Sequence, residues 1–174
     1  MEKKNLDWAN LGFTYRPIDY HWQTRWHDGA WEEGGLTTDP DITLSEAACV
    51  FHYSQSCFEG LKAYTTKDGH IVTFRPDQNA ERMQNTCRLE MPPLPKETFL
   101  KALDETVKAN AAWVPPFGTG ASLYIRPVMI GSGPQIGVAP AHEFLFRLFK
   151  GHALDGAARR TVMPAAAEFS AYLR

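Results

Sequence analysis

Residues His52–Arg75 read HYSQSCFEGLKAYTTKDGHIVTFR, and the second half of this stretch decides the fold. Two β-prone runs, LKAYTT and HIVTFR, flank Asp68-Gly69, a dipeptide that turns an extended chain back on itself. A hairpin is expected over Leu61–Arg75. The first half is mixed: Tyr53, Phe58 and Tyr64 alternate with hydroxyls, the carboxylate Glu59 and Gly60. Such a mixture suits the wall of a ligand site better than core filling. Gly60 marks a tight turn or a close approach of the backbone to something bulky.

Upstream, Tyr15–Trp26 is aromatic and partly alternating, which predicts a strand with an edge at Pro17. His27-Asp28-Gly29 is a turn, and a short strand through Ala30 and Trp31 follows. Glu32–Pro40, rich in Gly, Thr and Asp, reads as a loop. Thr43 or Ser45 is expected to cap a short helix through Ala47 and Ala48. Downstream, Pro76 opens a helix whose buried stripe is Ala80, Met83, Cys87 and Met91. Pro92 and Pro93 end it. Pro95 starts a second helix, with Phe99, Leu103, Val107 and Ala111 as its core face and Glu97 in the first turn. Trp113–Gly120 is a loop. Ser122–Ile130 is a strand in which Pro127 argues for an edge, a bulge or a strand end. A Gly/Pro loop, Gly131–Pro140, precedes a strand over Glu143–Phe149. Strands, then helices, then strands, with a hairpin inside, predict an α+β fold: a largely antiparallel sheet with two or so helices packed on one face. Residues 1–149 form that unit. Residues 150–174, Ala/Arg-rich and without a period that continues the sheet, read as a marginal helix or a floppy tail.

A chain of 174 residues is one domain, or one domain with an appendage. A net charge of −2 gives no electrostatic case for nucleic acid or an anionic membrane as partner. No run reaches the apolar length of a transmembrane helix, and MEKKNLDWAN lacks the apolar core of a signal peptide. Cys49, Cys57 and Cys87 are odd in number and lack metal-ligand spacing. They are expected as reduced, buried thiols in a cytoplasmic protein, not as nucleophiles.

The residues with a claim to chemistry are few. Arg126 sits in a strand that otherwise reads apolar, and a guanidinium buried there needs an anion or a carboxylate. Arg82 lies on the first helix, off its buried stripe. Exposure or an internal ion pair is the commoner fate of both. A carboxylate standing alone, as Glu59 does, is more often an ion-pair or cap residue than a general base. His52 reads as a hydrogen-bonded packing residue. No Ser/His/Asp, Cys/His or metal constellation can be assembled from spacing. GSGPQIG, Gly131–Gly137, leads from strand to strand and so fails the context of a phosphate loop.

Taken together, HYSQSCFEGLKAY, TFRPDQNAERM, ASLYIRP and GSGPQIGVAP resemble the branched-chain aminotransferases, the fold-type IV enzymes that use pyridoxal 5'-phosphate. The likeness runs from about Tyr15 to Phe149. It implies that Arg82, seven residues after Arg75, binds the cofactor phosphate, which favours a planar fork of donors. It implies that Phe58 and Gly60 face the substrate, and that Tyr53 reaches the pocket of a second subunit. Tyr124 and Arg126 would stand beside the substrate, with Arg126 opposite an acidic group such as a glutamate side chain. Val138 would be lent across a homodimer. Amino acids and 2-oxo acids are then the partners, with leucine, isoleucine and valine accepted alike because one methylene discriminates weakly.

The Schiff-base lysine of that family lies in a second, larger domain, beyond the point where this sequence ends at Arg174. No catalytic residue is therefore expected among these residues: Lys62 matches a surface position, and Lys150 stands where the likeness stops. Three further readings follow. One is a pyridoxal-phosphate lyase or a D-amino acid aminotransferase relative, disfavoured by FEGLKAY with SLYIRP and GVAP. Another is a non-catalytic binding or dimerisation module acting through the Val138 loop. The last is a domain only marginally stable alone, with an apolar face left uncovered.

Overall fold

The computed structural model describes residues 2–11, 15 and 18–154, with side chains through residue 149. Pro17, and the tail from Asp155, lie outside the described residues. The expected hairpin is present. Strands β1 (His21–His27), β2 (Ala30–Trp31) and β3 (Gly35–Thr37) are followed by helix α1 (Cys49–Tyr53) and then by β4 (Ser56–Phe58), β5 (Leu61–Thr65) and β6 (Ile71–Thr73). Helices α2 (Pro76–Cys87) and α3 (Lys96–Ala109) come next, then a 3-10 turn (Ala111–Trp113) and the long strands β7 (Ala121–Gly131) and β8 (Phe144–Leu154). The strands form one sheet in the order β2-β1-β8-β7-β5-β6, with β3 on β1 and β4 on β7. Every pairing among the described strands is antiparallel. This is the α+β arrangement the sequence predicts.

The β5–β6 connection is longer than a two-residue turn, since Thr65 pairs with Ile71. Gly69 supplies its left-handed residue at φ +87°. Pro76 occupies the first turn of α2 with Asp77 beside it, where a missing N–H costs nothing and a negative charge is favoured. Ala80, Met83 and Cys87 are the buried stripe of α2. Met91 is buried too, but beyond the end of the helix. Pro95 precedes the first residue of α3, whose buried face is Phe99, Ala102, Leu103 and Thr106.

Both helices pack on one face of the sheet. The core there is Trp22 from β1, Leu61 and Ala63 from β5, Leu123, Ile125 and Met129 from β7, and Phe144, Phe146 and Leu148 from β8. Trp22 is fully buried, donates Nε1–H to Glu105 at 2.7 Å and meets Phe146 edge-on at 6.1 Å between ring centres. Gly34 lies flat against it: a Cβ there would come within 2.0 Å of the indole.

Four expectations need correcting. Glu32–Pro40 is not all loop, because Gly35–Thr37 pairs with β1; a three-residue strand that begins with a glycine is too short to show an alternating pattern. The N-cap of α1 is Ala48, with no side-chain cap, not Thr43 or Ser45; a backbone bridge from Ala48 to Pro134 fixes the start of that helix instead. Pro127 is neither at an edge nor at a strand end. It lies mid-way along β7, opposite Leu148 of β8. A residue in an antiparallel ladder points its N–H and C=O to the same neighbour. The carbonyl of Pro127 accepts from Glu59 N–H, so its missing donor faces the break between β4 and β5, where no partner strand requires it. Finally, β8 does not stop at Phe149: Gly151–Leu154 pairs with Ala121–Tyr124.

Candidate functional site

Alternation along β7 separates two faces. Leu123, Ile125 and Met129 are buried beneath the helices, while Tyr124, Arg126, Val128 and Ile130 are half-buried on the opposite face. Phe58 sits directly across from Val128 on that second face, and Lys62 directly across from Tyr124. Phe58 is 62% exposed, unusual for a phenylalanine in a sheet.

The β4–β5 break brings four of the expected site residues together. The Arg126 guanidinium lies 4.3 Å from the centre of the Phe58 ring and donates Nε–H to the Tyr124 hydroxyl at 2.9 Å. Gly60 closes the cluster: a Cβ on it would stand 2.7 Å from the same hydroxyl. The backbone approaches Tyr124 closely, as the sequence implies for a glycine here. Arg126 is satisfied by a ring face and a phenol oxygen, not by a carboxylate, so its charge remains available to an anion.

Glu59 connects this cluster to Arg82. Its chain neighbours Phe58 and Gly60 are in the cluster; its own carboxylate is buried and turned to α2. Arg82 Nε–H donates to Glu59 Oε1 at 2.7 Å and Nη2 donates to Oε2. Asn79 Nδ2 donates to the same Oε2 at 2.9 Å. Burial pushes the Glu59 carboxyl up, but the bonds from Arg82 and Asn79, the Arg82 charge and a backbone bond at Gly60 outweigh it and hold the group below the usual carboxylate range. The ion-pair reading of Glu59 is the one observed. Asn79 was missed by sequence reading. The signal was there: it lies three residues before Arg82, so both leave α2 on the same side.

Tyr53 and Val138 belong to a second locality. The Gly131–Pro140 loop is tied to α1 by Cys49 N–H to the Gly133 carbonyl (3.0 Å) and Gln135 N–H to the Ala47 carbonyl (2.7 Å). The Tyr53 hydroxyl donates to the Ile136 carbonyl. This pinning holds Ile136 and Val138 outward, 72% and 92% exposed. His52 is exposed and bonds the Glu46 carbonyl at 2.9 Å.

Two cavities lie away from the Phe58–Arg126 cluster. One of about 450 Å³ is bounded by Arg25, His27, Ser132 and His142, and one of about 710 Å³ by Tyr64, Thr65, Phe117 and Ala121. Neither is lined by Phe58, Gly60, Arg82, Tyr124 or Arg126. Among the described residues no helix is long and apolar enough to cross a membrane.

No family model matches the chain. Curated proteins do. A branched-chain-amino-acid aminotransferase of Haemophilus influenzae is 54% identical over 147 residues, covering 84% of this chain and 43% of that protein. Its counterpart from Helicobacter pylori is 48% identical over the same length and shares. The chain thus spans less than half the length of the curated relatives it matches. Among solved structures, a branched-chain aminotransferase from Thermoproteus uzoniensis, crystallised with norvaline, superposes with a TM-score of 0.54 at 26% identity over 73% of this chain and 39% of its own. The Escherichia coli enzyme superposes at 0.57, with 20% identity over 76% of this chain and 40% of its own, a likeness of fold.

Proposed function

Because this chain is homologous to the branched-chain aminotransferases over 84% of its length, we propose that it supplies the small-domain half of such an enzyme's active site. Phe58, Gly60, Tyr124 and Arg126 form the substrate wall, and Arg82 anchors the phosphate of pyridoxal 5'-phosphate. The observation that carries this reading is Glu59. It joins three motifs distant in sequence: its buried carboxylate holds Asn79 and Arg82, and its backbone N–H ties FEGLK to the Pro127 carbonyl at the end of SLYIRP.

The residues fit the cofactor. A guanidinium has five N–H donors, of which Glu59 takes two. Three remain on a side chain that is 65% exposed, a suitable set for a phosphate dianion. Pyridoxal phosphate, when bound, supplies the electron sink for amino-group transfer. The part assigned to this chain is binding and orientation. Phe58 offers an apolar surface to a leucine, isoleucine or valine side chain, and Arg126 receives the distal carboxylate of 2-oxoglutarate or glutamate. Tyr53 and the exposed Val138 loop reach a second copy in a homodimer. Three free, buried thiols favour a reducing, cytoplasmic setting. None of the described residues of this chain is assigned the role of the lysine that moves the proton.

A chimera tests the proposal. Residues 21–149 of this chain replace the matching part of the Haemophilus influenzae relative, and glutamate formation from leucine and 2-oxoglutarate is followed. Sustained turnover, lost with Arg82→Ala, is expected. Turnover of D-alanine but not of L-leucine would move the assignment to the D-amino acid branch.

A further inference from the structure

Glu59 is more than a neutralising partner for Arg82. Its side chain is 5% exposed, against 65% for Arg82. A pair with one buried member carries a desolvation cost that a surface pair avoids, so adding stability is a poor account of it. The pair is also built from more than one side. Asn79 bonds both Oε2 of Glu59 and, at 3.3 Å, the Gly60 carbonyl. The Glu59 backbone N–H is fixed to the Pro127 carbonyl at 2.9 Å. The carboxylate is thus held by the sheet and by α2 before Arg82 is added.

Its grip on the guanidinium is specific. Nε and Nη2 form the side edge of the fork, and Glu59 occupies that edge. The end edge, Nη1 with the second hydrogen of Nη2, is left over.

We infer that Glu59 is a positioning residue: it clamps the side edge of Arg82 so that the end edge stands ready for a phosphate monoester, with Asn79 holding the clamp. This rests on the proposed placement of the cofactor phosphate at Arg82. Orienting a long side chain before the ligand arrives removes an ordering cost from binding. The charge of Glu59 works the other way, since a carboxylate near a phosphate repels it. Positioning and simple electrostatics therefore predict opposite signs when the charge is removed.

The test uses the whole 174-residue chain and pyridoxine 5'-phosphate, which lacks the aldehyde that would condense with surface lysines; unphosphorylated pyridoxine is the control. The wild-type chain is expected to prefer the phosphorylated ligand, and Arg82→Ala to abolish the preference. Glu59→Gln is expected to weaken binding of the phosphorylated ligand about tenfold, with pyridoxine unmoved. Asn79→Ala, which keeps the Glu59 charge, should shift it the same way by a smaller factor. A proton–nitrogen spectrum of Arg82 Nε gives a ligand-free readout: a resonance protected from exchange in the wild type, broadened in Glu59→Gln. Equal or tighter phosphate binding by Glu59→Gln, or an Arg82 Nε equally mobile in both proteins, overturns the positioning role while leaving Arg82 as the anchor. A wild-type chain indifferent to the phosphate, and unaffected by Arg82→Ala, overturns the anchor and the clamp together.

Discussion

The Arg126 guanidinium lies over the Phe58 ring, its carbon 4.3 Å from the ring centre, on the side of the sheet away from the helices. They are far apart in sequence and belong to different strands. The contact exists because β4 pairs with β7 in the register that sets Phe58 opposite Val128. The ring contact and the bond to Tyr124 together restrain the Arg126 side chain. Phe58→Ala is expected to free Arg126 with little change in stability, since the ring is mostly exposed. Nitrogen relaxation at Arg126 Nε reads the gain in motion; unchanged relaxation would show that the ring contact does not hold it.

Gly60→Ala tests the close approach at Tyr124. The new Cβ would start 2.7 Å from the hydroxyl, so the phenol must move. The end of a partly exposed side chain can yield, and the stability loss should be modest, about 1 kcal/mol. The larger effect should be on the Arg126–Tyr124 bond, detected as a shifted Tyr124 ring resonance. A variant with native shifts and native stability would mean that the space is there after all.

Arg147 is a buried cation with poor partners. It is 3% exposed and donates to the carbonyls of Asp39 and Asp41 and, at 3.4 Å, to Gln23. No carboxylate pairs with it among the described residues. Burial pushes the ionisation of this guanidinium down, against the Asp39, Tyr15 and Asp41 charges. A buried charge without a counter-charge carries a desolvation cost that an apolar side chain of similar volume would remove. Arg147→Leu should raise stability by about 1 kcal/mol, less than the full desolvation gain because two carbonyls lose their donor. For a chain of this size that is about 2–4 °C in Tm by calorimetry. A drop in Tm would show that the carbonyl contacts outweigh the buried charge.

Acid should destabilise the fold in two steps. His21 is 1% exposed, neither ring nitrogen has a partner among the described residues, and burial and the nearby Arg147 lower its pKa from 6.5. Glu59 is likewise held below 4.5, as its hydrogen bonds and the Arg82 charge outweigh burial. A lowered folded-state pKa gives stability that is present above the unfolded value and lost as pH falls through the folded one. Urea midpoints should therefore decline from about pH 6.5 downward through His21, and more steeply from about 4.5 through Glu59. His21→Leu should flatten the first decline. A midpoint independent of pH between 7 and 5 would contradict the burial of His21.

The hairpin, both long helices and the antiparallel class were legible because local signals set them: Asp68-Gly69, Pro76 and a helical stripe. The strand at Gly35–Thr37 was not, since three residues beginning with a glycine carry no readable alternation. Nor was the place of Pro127, which depends on a gap in a neighbouring strand. Within the site, residue types could nominate Arg82 and Arg126, and family likeness assigned them roles. The Glu59 clamp was out of reach, because its members lie 23 and 20 residues apart on a helix and a sheet break whose docking no local pattern encodes.

On the proposed function, the sheet face that carries Phe58, Tyr124 and Arg126 is a substrate wall with Arg126 as its anion receptor. The most direct test is the KM for 2-oxoglutarate in the chimera carrying Arg126→Gln. A lost charge-assisted contact of about 1.5–3 kcal/mol predicts a rise of about 10- to 100-fold, with the KM for leucine little changed. An unchanged 2-oxoglutarate KM, or an equal rise for both substrates, would contradict the account.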